Sequence, residues 1–300
     1  MTAVILALLS AVSYGASDFL GGVASRRASF MRAAIIAQVA AMLAVLLVAS
    51  VVGGHLTIEG VLWGGLSGVG AGMGTLALYR GLGRGQMSVV GPISGVGSAV
   101  IPALAGLILG ERPSVITLAG VALILPAVYL IARGENPAAS STEAPAGGRP
   151  ERADHVASVA DGALAGVGFG GFFLALSQAG AGDGLWPSAA SGVVSTLVIV
   201  GFFGARFLAR ESPTPTPTVT DRPSSTDLPA VAAGVSAGAA SALYLLATRQ
   251  GLLVVVAVLA ALYPAATVLL AQAVLHERST RSQLIGLVMA AGAVVAVTAG

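Results

Sequence analysis

Residues 251–274 read GLLVVVAVLAALYPAATVLLAQAV, 24 residues without a charged side chain. As a helix this stretch rises about 36 Å, enough to cross roughly 30 Å of hydrocarbon. Outward from it, comparable apolar runs lie at 3–24, 33–53, 60–80, 87–109, 114–132, 158–179, 185–208, 230–248 and 282–299, giving ten candidate spans. Barrel strands would be about 10 residues of strict apolar and polar alternation, so helices are the reading. The composition agrees: of 300 residues 56% are hydrophobic and 9% charged, against about 25% charged in ordinary globular chains. The expected class is an all-α polytopic membrane protein, which excludes a cytosolic enzyme or a secreted globular domain. The run 3–24 carries no cationic leader and contains Asp18, so it reads as the first span and not as a signal peptide.

Residue types narrow the chemistry. There is no cysteine, which removes disulfides, thiolate metal sites, iron–sulfur clusters and cysteine catalysis. All 15 basic residues are arginine, which removes the phosphate-loop lysine. No metal cluster, HExxH or nucleotide fingerprint is present, so no cofactor is expected. No basic run exceeds Arg26-Arg27, so no nucleic-acid partner is expected either. The 41 glycines suit close helix packing in lipid.

Two polar stretches interrupt the spans. Residues 134–157 (GENPAASSTEAPAGGRPERADHVA) and 211–229 (ESPTPTPTVTDRPSSTDLP) are poor in apolar residues and read as flexible. The first divides the chain into two units of five spans, 1–133 and 158–300. The units resemble each other. Ala77-Leu78-Tyr79 recurs as Ala242-Leu243-Tyr244, and Glu111-Arg112 with Gly120 recurs as Glu277-Arg278 with Gly286. These offsets are 165 and 166, and Val12, Tyr14 and Gly15 match Val167, Phe169 and Gly170 at 155. Five spans per unit is odd, so two units in one chain run in opposite directions. The expectation is two inverted five-helix repeats, an architecture of secondary transporters with a site near the midplane.

Loops joining spans 1–2, 3–4, 5–6, 7–8 and 9–10 hold 13 of the 15 arginines; Arg112 and Arg249 stand on the other side. The positive-inside rule places the 13 in the cytoplasm and both termini outside.

Tyr14-Gly15-Ala16-Ser17-Asp18-Phe19 resembles the aromatic-Gly-small-polar-Phe signature in the first span of EamA-type transporters of the drug/metabolite transporter superfamily. Pro264 to Leu275, then His276-Glu277-Arg278 and Gly286, resembles that family's Pro–apolar run–Gly-Glu-Arg pattern, with a first-half copy at Gly110-Glu111-Arg112 and Gly120. The chain departs from the pattern at His276, where glycine is preferred, and at Ser98, which stands opposite Pro264. The resemblance spans both units. It implies ten helices, a central cavity, and transport or export of small metabolites, amino acids or drugs, and the expected membrane is a bacterial inner or plasma membrane. It also implies cytoplasmic termini, contrary to the arginine count.

Asp18 is the sharpest chemical feature. A carboxylate inside a span costs roughly 2.5–3.5 kcal/mol on insertion scales and marks a functional site by default. It can exchange a proton with substrate movement or neutralise an amine on the substrate. The plainer reading is a carboxylate reaching interfacial water or Arg26. Tyr14 stands four residues before it on one face, with Ser10, Ser13 and Ser17 beside that stripe; helix–helix hydrogen bonding is the alternative use of these hydroxyls. Gln38, Trp63, Tyr244 and Tyr263 are further candidates for cavity lining. Pro92, Pro102 and Pro264 lie inside spans and are candidate hinges, or static kinks. Glu111-Arg112 and Glu277-Arg278 read as interfacial anchors. Two catalytic look-alikes are present, Gly65-Leu66-Ser67-Gly68 of serine-protease type and Gly180-Ala181-Gly182-Asp183 of aspartyl-protease type. The first needs a histidine at depth and the second a paired carboxylate, and neither is placed by the sequence.

The leading expectation is a secondary transporter of a small organic solute, not an enzyme, working by alternating access, with Asp18 as a proton site and spans one, three, four, six, eight and nine lining the cavity. The alternatives are an intramembrane protease-like enzyme or a passive channel. Lipid, a small-molecule substrate and protons are the expected partners, and the chain is expected to act as a monomer or homodimer.

Overall fold

A computed structural model describes residues 1–25, 30–82, 87–133, 151–208, 227–276 and 279–299. The described elements are α1 (Thr2–Ser25), α2 (Phe30–Val52), α3 (Ile58–Leu82), α4 (Met87–Ile108), α5 (Val115–Arg133), α6 (Glu151–Ser177), a 3-10 turn (Ala181–Asp183), α7 (Trp186–Leu208), α8 (Leu228–Thr248), α9 (Leu253–Ala260), α10 (Tyr263–Leu275) and α11 (Arg281–Ala299). They make ten candidate membrane spans, α9 and α10 together forming the ninth. The protein is an all-α polytopic membrane protein.

Large apolar side chains stay exposed around the outside of the bundle, Leu47, Leu62, Ile108 and Val288 among them. Lipid covers such a surface, since hydrocarbon tails are as apolar as leucine. The interior is built from small residues and one wholly buried helix. All eight residues of α9 are buried, which fits a helix that is apolar on every face.

Three sequence expectations are corrected here. Residues 151–157, read as the end of a linker, form the first two turns of α6. Residues 228 and 229 likewise open α8, with Pro229 in its first turn, where the missing N–H costs nothing. The ninth span is not one kinked helix. It breaks at Ala261-Leu262, and Pro264 falls at the start of α10, because proline cannot donate back to the preceding turn and its ring crowds that turn's carbonyl. Pro92 and Pro102 sit inside an unbroken α4, and Pro126, which the sequence reading passed over, sits inside α5.

The helices pair across the two halves: α3 with α6, α1 with α8, α4 with α6, α1 with α10, and α5 with α11. Two glycine contacts recur. A Cβ on Gly120 would lie 2.7 Å from Val297 Cγ2 and 3.0 Å from Ala293 O; on Gly286 it would lie 2.7 Å from Ile131 Cγ1 and 2.9 Å from Ala127 O. The start of α5 thus meets the end of α11 and the reverse, so the two helices run antiparallel. In the same way Gly15 is pressed against Tyr263 O and Thr267 N, and Gly170 against Gly97 O and Ile101 Cβ.

Candidate functional site

Side chains from eight helices line a cavity of about 240 Å³. It is lined by Tyr14 and Asp18 of α1, Gln38, Ala41 and Val45 of α2, Ala71, Thr75 and Leu78 of α3 and Ser98 of α4 from the first half. The second half supplies Phe169, Phe172 and Phe173 of α6, Ser188, Ser191, Gly192 and Ser195 of α7, Ala237, Gly238 and Ser241 of α8, and Tyr263 of α10. Asp18 is the single charged residue in this set, and it is exposed. The remaining polar groups are hydroxyls and one amide.

The helix backbone accounts for this convergence. Tyr14 and Asp18 are one turn apart and share a face. Gly15, between them, lets α1 approach α10 closely enough to bring Tyr263 to the same wall. The Tyr14 ring meets Tyr263 at 6.3 Å and Phe173 at 5.9 Å, both edge-on, as aromatic quadrupoles prefer. Gln38 Nε2 donates to Ser195 Oγ at 2.6 Å, joining α2 to α7 on the cavity wall. The Tyr14 hydroxyl is buried and makes no hydrogen bond.

Of the sequence candidates, the cavity collects Tyr14, Asp18, Gln38 and Tyr263. Ser13, Ser17, Trp63 and Tyr244 are not among its walls. Tyr244 is fully buried and donates from its hydroxyl to Phe173 O at 3.0 Å, bracing α8 on α6. Trp63 packs half-buried against the apolar core. Spans two and seven line the cavity as well, and the three phenylalanines of α6 went unremarked as lining in the sequence. Their signal was the internal alignment: at the offset of 155, Tyr14 answers to Phe169 and Asp18 to Phe173.

The protease look-alikes part company. Ser67 Oγ lies 2.9 Å from Ser191 Oγ, a second hydroxyl and no general base. Asp183 sits in the turn before α7 and accepts from Thr57 Oγ1 at 2.7 Å. Neither lies on the cavity wall with Asp18 except through Ser191. Arg249, at the end of α8, donates to Gly180 O at 2.9 Å. Burial pulls its guanidinium below the usual range, against the opposing pull of Asp183.

Glu111 has a role that the sequence reading missed. Its Oε1 accepts the Leu253 N–H at 2.6 Å and its Oε2 the Val254 N–H at 2.8 Å. A carboxylate from the first half therefore caps α9 of the second, meeting N–H groups that have no partner within their own helix. Gly110, with φ +97°, makes the left-handed turn that aims it there. Glu277-Arg278, the second copy, lies outside the described residues.

Among the described residues two ion pairs also link the halves. Arg80 Nη2 lies 2.5 Å from Asp161 Oδ1, and Arg32 Nη2 lies 2.9 Å from Asp227 Oδ2. Among the described residues no group of three or more His, Asp or Glu is placed to hold a metal.

Similarity to known proteins follows the same division of the chain. Residues 1–133 match the model of the EamA-like transporter family. An uncharacterised protein of Methanocaldococcus jannaschii is 29% identical over 131 residues, which take in 43% of this chain and 96% of that protein. A solved crystal structure of a protein superposes with a TM-score of 0.69 over 97% of this chain and 96% of that one, at 14% identity, a likeness of fold.

Proposed function

We propose, from the premise that this chain belongs through residues 1–133 to the EamA-like transporter family of the drug/metabolite transporter superfamily, that it is a secondary transporter of a small organic solute. The solute binds in the central cavity, and two inverted five-helix units rock about it to open each side in turn. Asp18 is the proton site, export is the working direction, and the membrane is a bacterial plasma membrane.

The observation that carries this reading is the cavity itself, walled by both halves and holding one carboxylate among rings and hydroxyls. The reciprocal glycine contacts support the inverted repeat. Gly120 and Gly286 are 166 apart, and so are Ala127 and Ala293, and Ile131 and Val297. Each half thus makes to its partner the contact its partner makes to it, as a two-fold axis requires. Antiparallel α5 and α11 would set that axis in the membrane plane. The relative from Methanocaldococcus jannaschii, matched over nearly its whole length by 43% of this chain, supports reading the chain as two units.

Sealed proteoliposomes test the reading. Pools of amino acids, sugars, nucleosides and organic cations are presented in turn while internal pH is followed. Saturable, solute-dependent proton movement is the expected result. Flux that rises without limit with concentration would make the protein a channel, and absence of flux with every pool would contradict transport.

A further inference from the structure

We infer that Tyr14 is a gate residue: its buried hydroxyl, which makes no hydrogen bond, weakens the closure of one end of the cavity and so sets how readily that end opens. This rests on the transport reading above, in which each side of the cavity opens in turn, and names a residue that balances the two states.

The end in question carries the connections 178–185 and 249–252, and every residue of both is described. The lining residues nearest to it are buried: Phe172 and Phe173 in the last two turns of α6, Ser188 and Ser191 in the first two turns of α7. Rings close up on one another there. Phe173 lies 4.9 Å from Phe172, 4.6 Å from Tyr244 and 5.9 Å from Tyr14, which meets Tyr263 at 6.3 Å. Hydrogen bonds hold the same end together. Tyr244 donates to Phe173 O at 3.0 Å, the Ser67 and Ser191 hydroxyls stand 2.9 Å apart, and Glu111 caps the buried α9. The Tyr14 hydroxyl is the exception in this packed set. It is shut off from solvent and has no partner, while the Tyr244 hydroxyl, one ring away, is satisfied. Buried polar groups are nearly always paired, because a dry one forfeits its bonds to water. Opening this end wets the Tyr14 hydroxyl and restores those bonds. The Tyr14 ring therefore favours the closed state through its edge-on contacts, and its oxygen opposes it. The Tyr244 hydroxyl acts with the opposite sign, since its bond belongs to the closed state.

The test places single cysteines in the full chain, which has none of its own. Ser188→Cys reports access to the cavity from the closed end. His55→Cys reports which membrane face that is, since the His55 N–H donates to Gly182 O at 3.0 Å and so marks the same end. A membrane-impermeant methanethiosulfonate is applied to intact cells and to inverted vesicles. The labelling rate of Ser188→Cys is read from the face that labels His55→Cys, and it follows the population of the open state. Tyr14→Phe keeps the ring and should slow this labelling by about tenfold, with the thermal unfolding midpoint in detergent at or above that of the wild type. Tyr244→Phe should do the reverse, labelling faster by about fivefold and unfolding earlier. A lower midpoint for Tyr14→Phe would reveal a structural bond at its hydroxyl and overturn the inference. So would labelling that is unchanged or faster in Tyr14→Phe, a Tyr244→Phe that moves in the same direction, or a Ser188→Cys that never labels from that face. The transport reading falls separately, only when no solute pool drives saturable flux in proteoliposomes.

Discussion

Gly120 and Gly286 occupy equivalent places in a reciprocal contact: each lies where a side chain would strike the backbone carbonyl and the branched residue of the opposite helix. The seam between α5 and α11 depends on both positions lacking a Cβ. Valine at either one should lower the thermal unfolding midpoint in detergent by the equivalent of about 1–3 kcal/mol, the usual cost of overpacking. The two variants should cost similar amounts. Gly201→Ala, where a Cβ meets nothing within 4 Å, should leave the midpoint in place.

Glu111 joins the end of α4 to the start of α9 through two backbone donors. Glu111→Ala removes both acceptors and should destabilise by about 1–2 kcal/mol, as the loss of a strong cap does. Glu111→Gln keeps the shape and one carbonyl acceptor and should cost less. Equal midpoints for wild type and Glu111→Ala would show that the cap contributes nothing.

Arg80 and Asp161 are unequally placed, the arginine side chain 55% exposed and the aspartate 1%. Arg80→Ala should therefore destabilise more in the wild-type background than in Asp161→Asn, because the buried carboxylate carries the desolvation cost. A double-mutant cycle by thermal unfolding measures the coupling; additive losses would contradict it.

The chain contains no cysteine, so single-cysteine labelling reads topology directly. The arginine distribution predicts that a membrane-impermeant maleimide applied to intact cells labels His55→Cys, in the loop between α2 and α3, and leaves Ser279→Cys unlabelled until the cells are opened. The reverse pattern would place the termini in the cytoplasm.

The spans were legible because a helix in lipid must be continuously apolar for about 20 residues, and the duplicated Glu-Arg and glycine positions marked equivalent places in the two halves. Asp18 stood out because a charge within an apolar run has no cheap explanation. The opposite held for Phe172, Phe173, Ser188 and Ser191. A phenylalanine or serine in an apolar helix gives no sign of whether it faces lipid, a neighbour or a lumen, so only the fold sorts them. Tyr244 and Trp63 failed as guides for the same reason: a polar edge at depth finds a backbone carbonyl or a packed niche as readily as a cavity. Pro264 signalled a disturbance in span nine, yet a kink and a full break share one sequence.

Counterflow into proteoliposomes tests the central claim most directly. Vesicles are loaded with an unlabelled solute that the flux pools have identified, and uptake of its trace label is followed for wild type and Asp18→Asn. A carrier that alternates about a cavity holding Asp18 predicts transient accumulation of label above the outside concentration, saturating with solute and lost or strongly reduced in the variant. Passive equilibration without an overshoot, or an overshoot unchanged in Asp18→Asn, would contradict it.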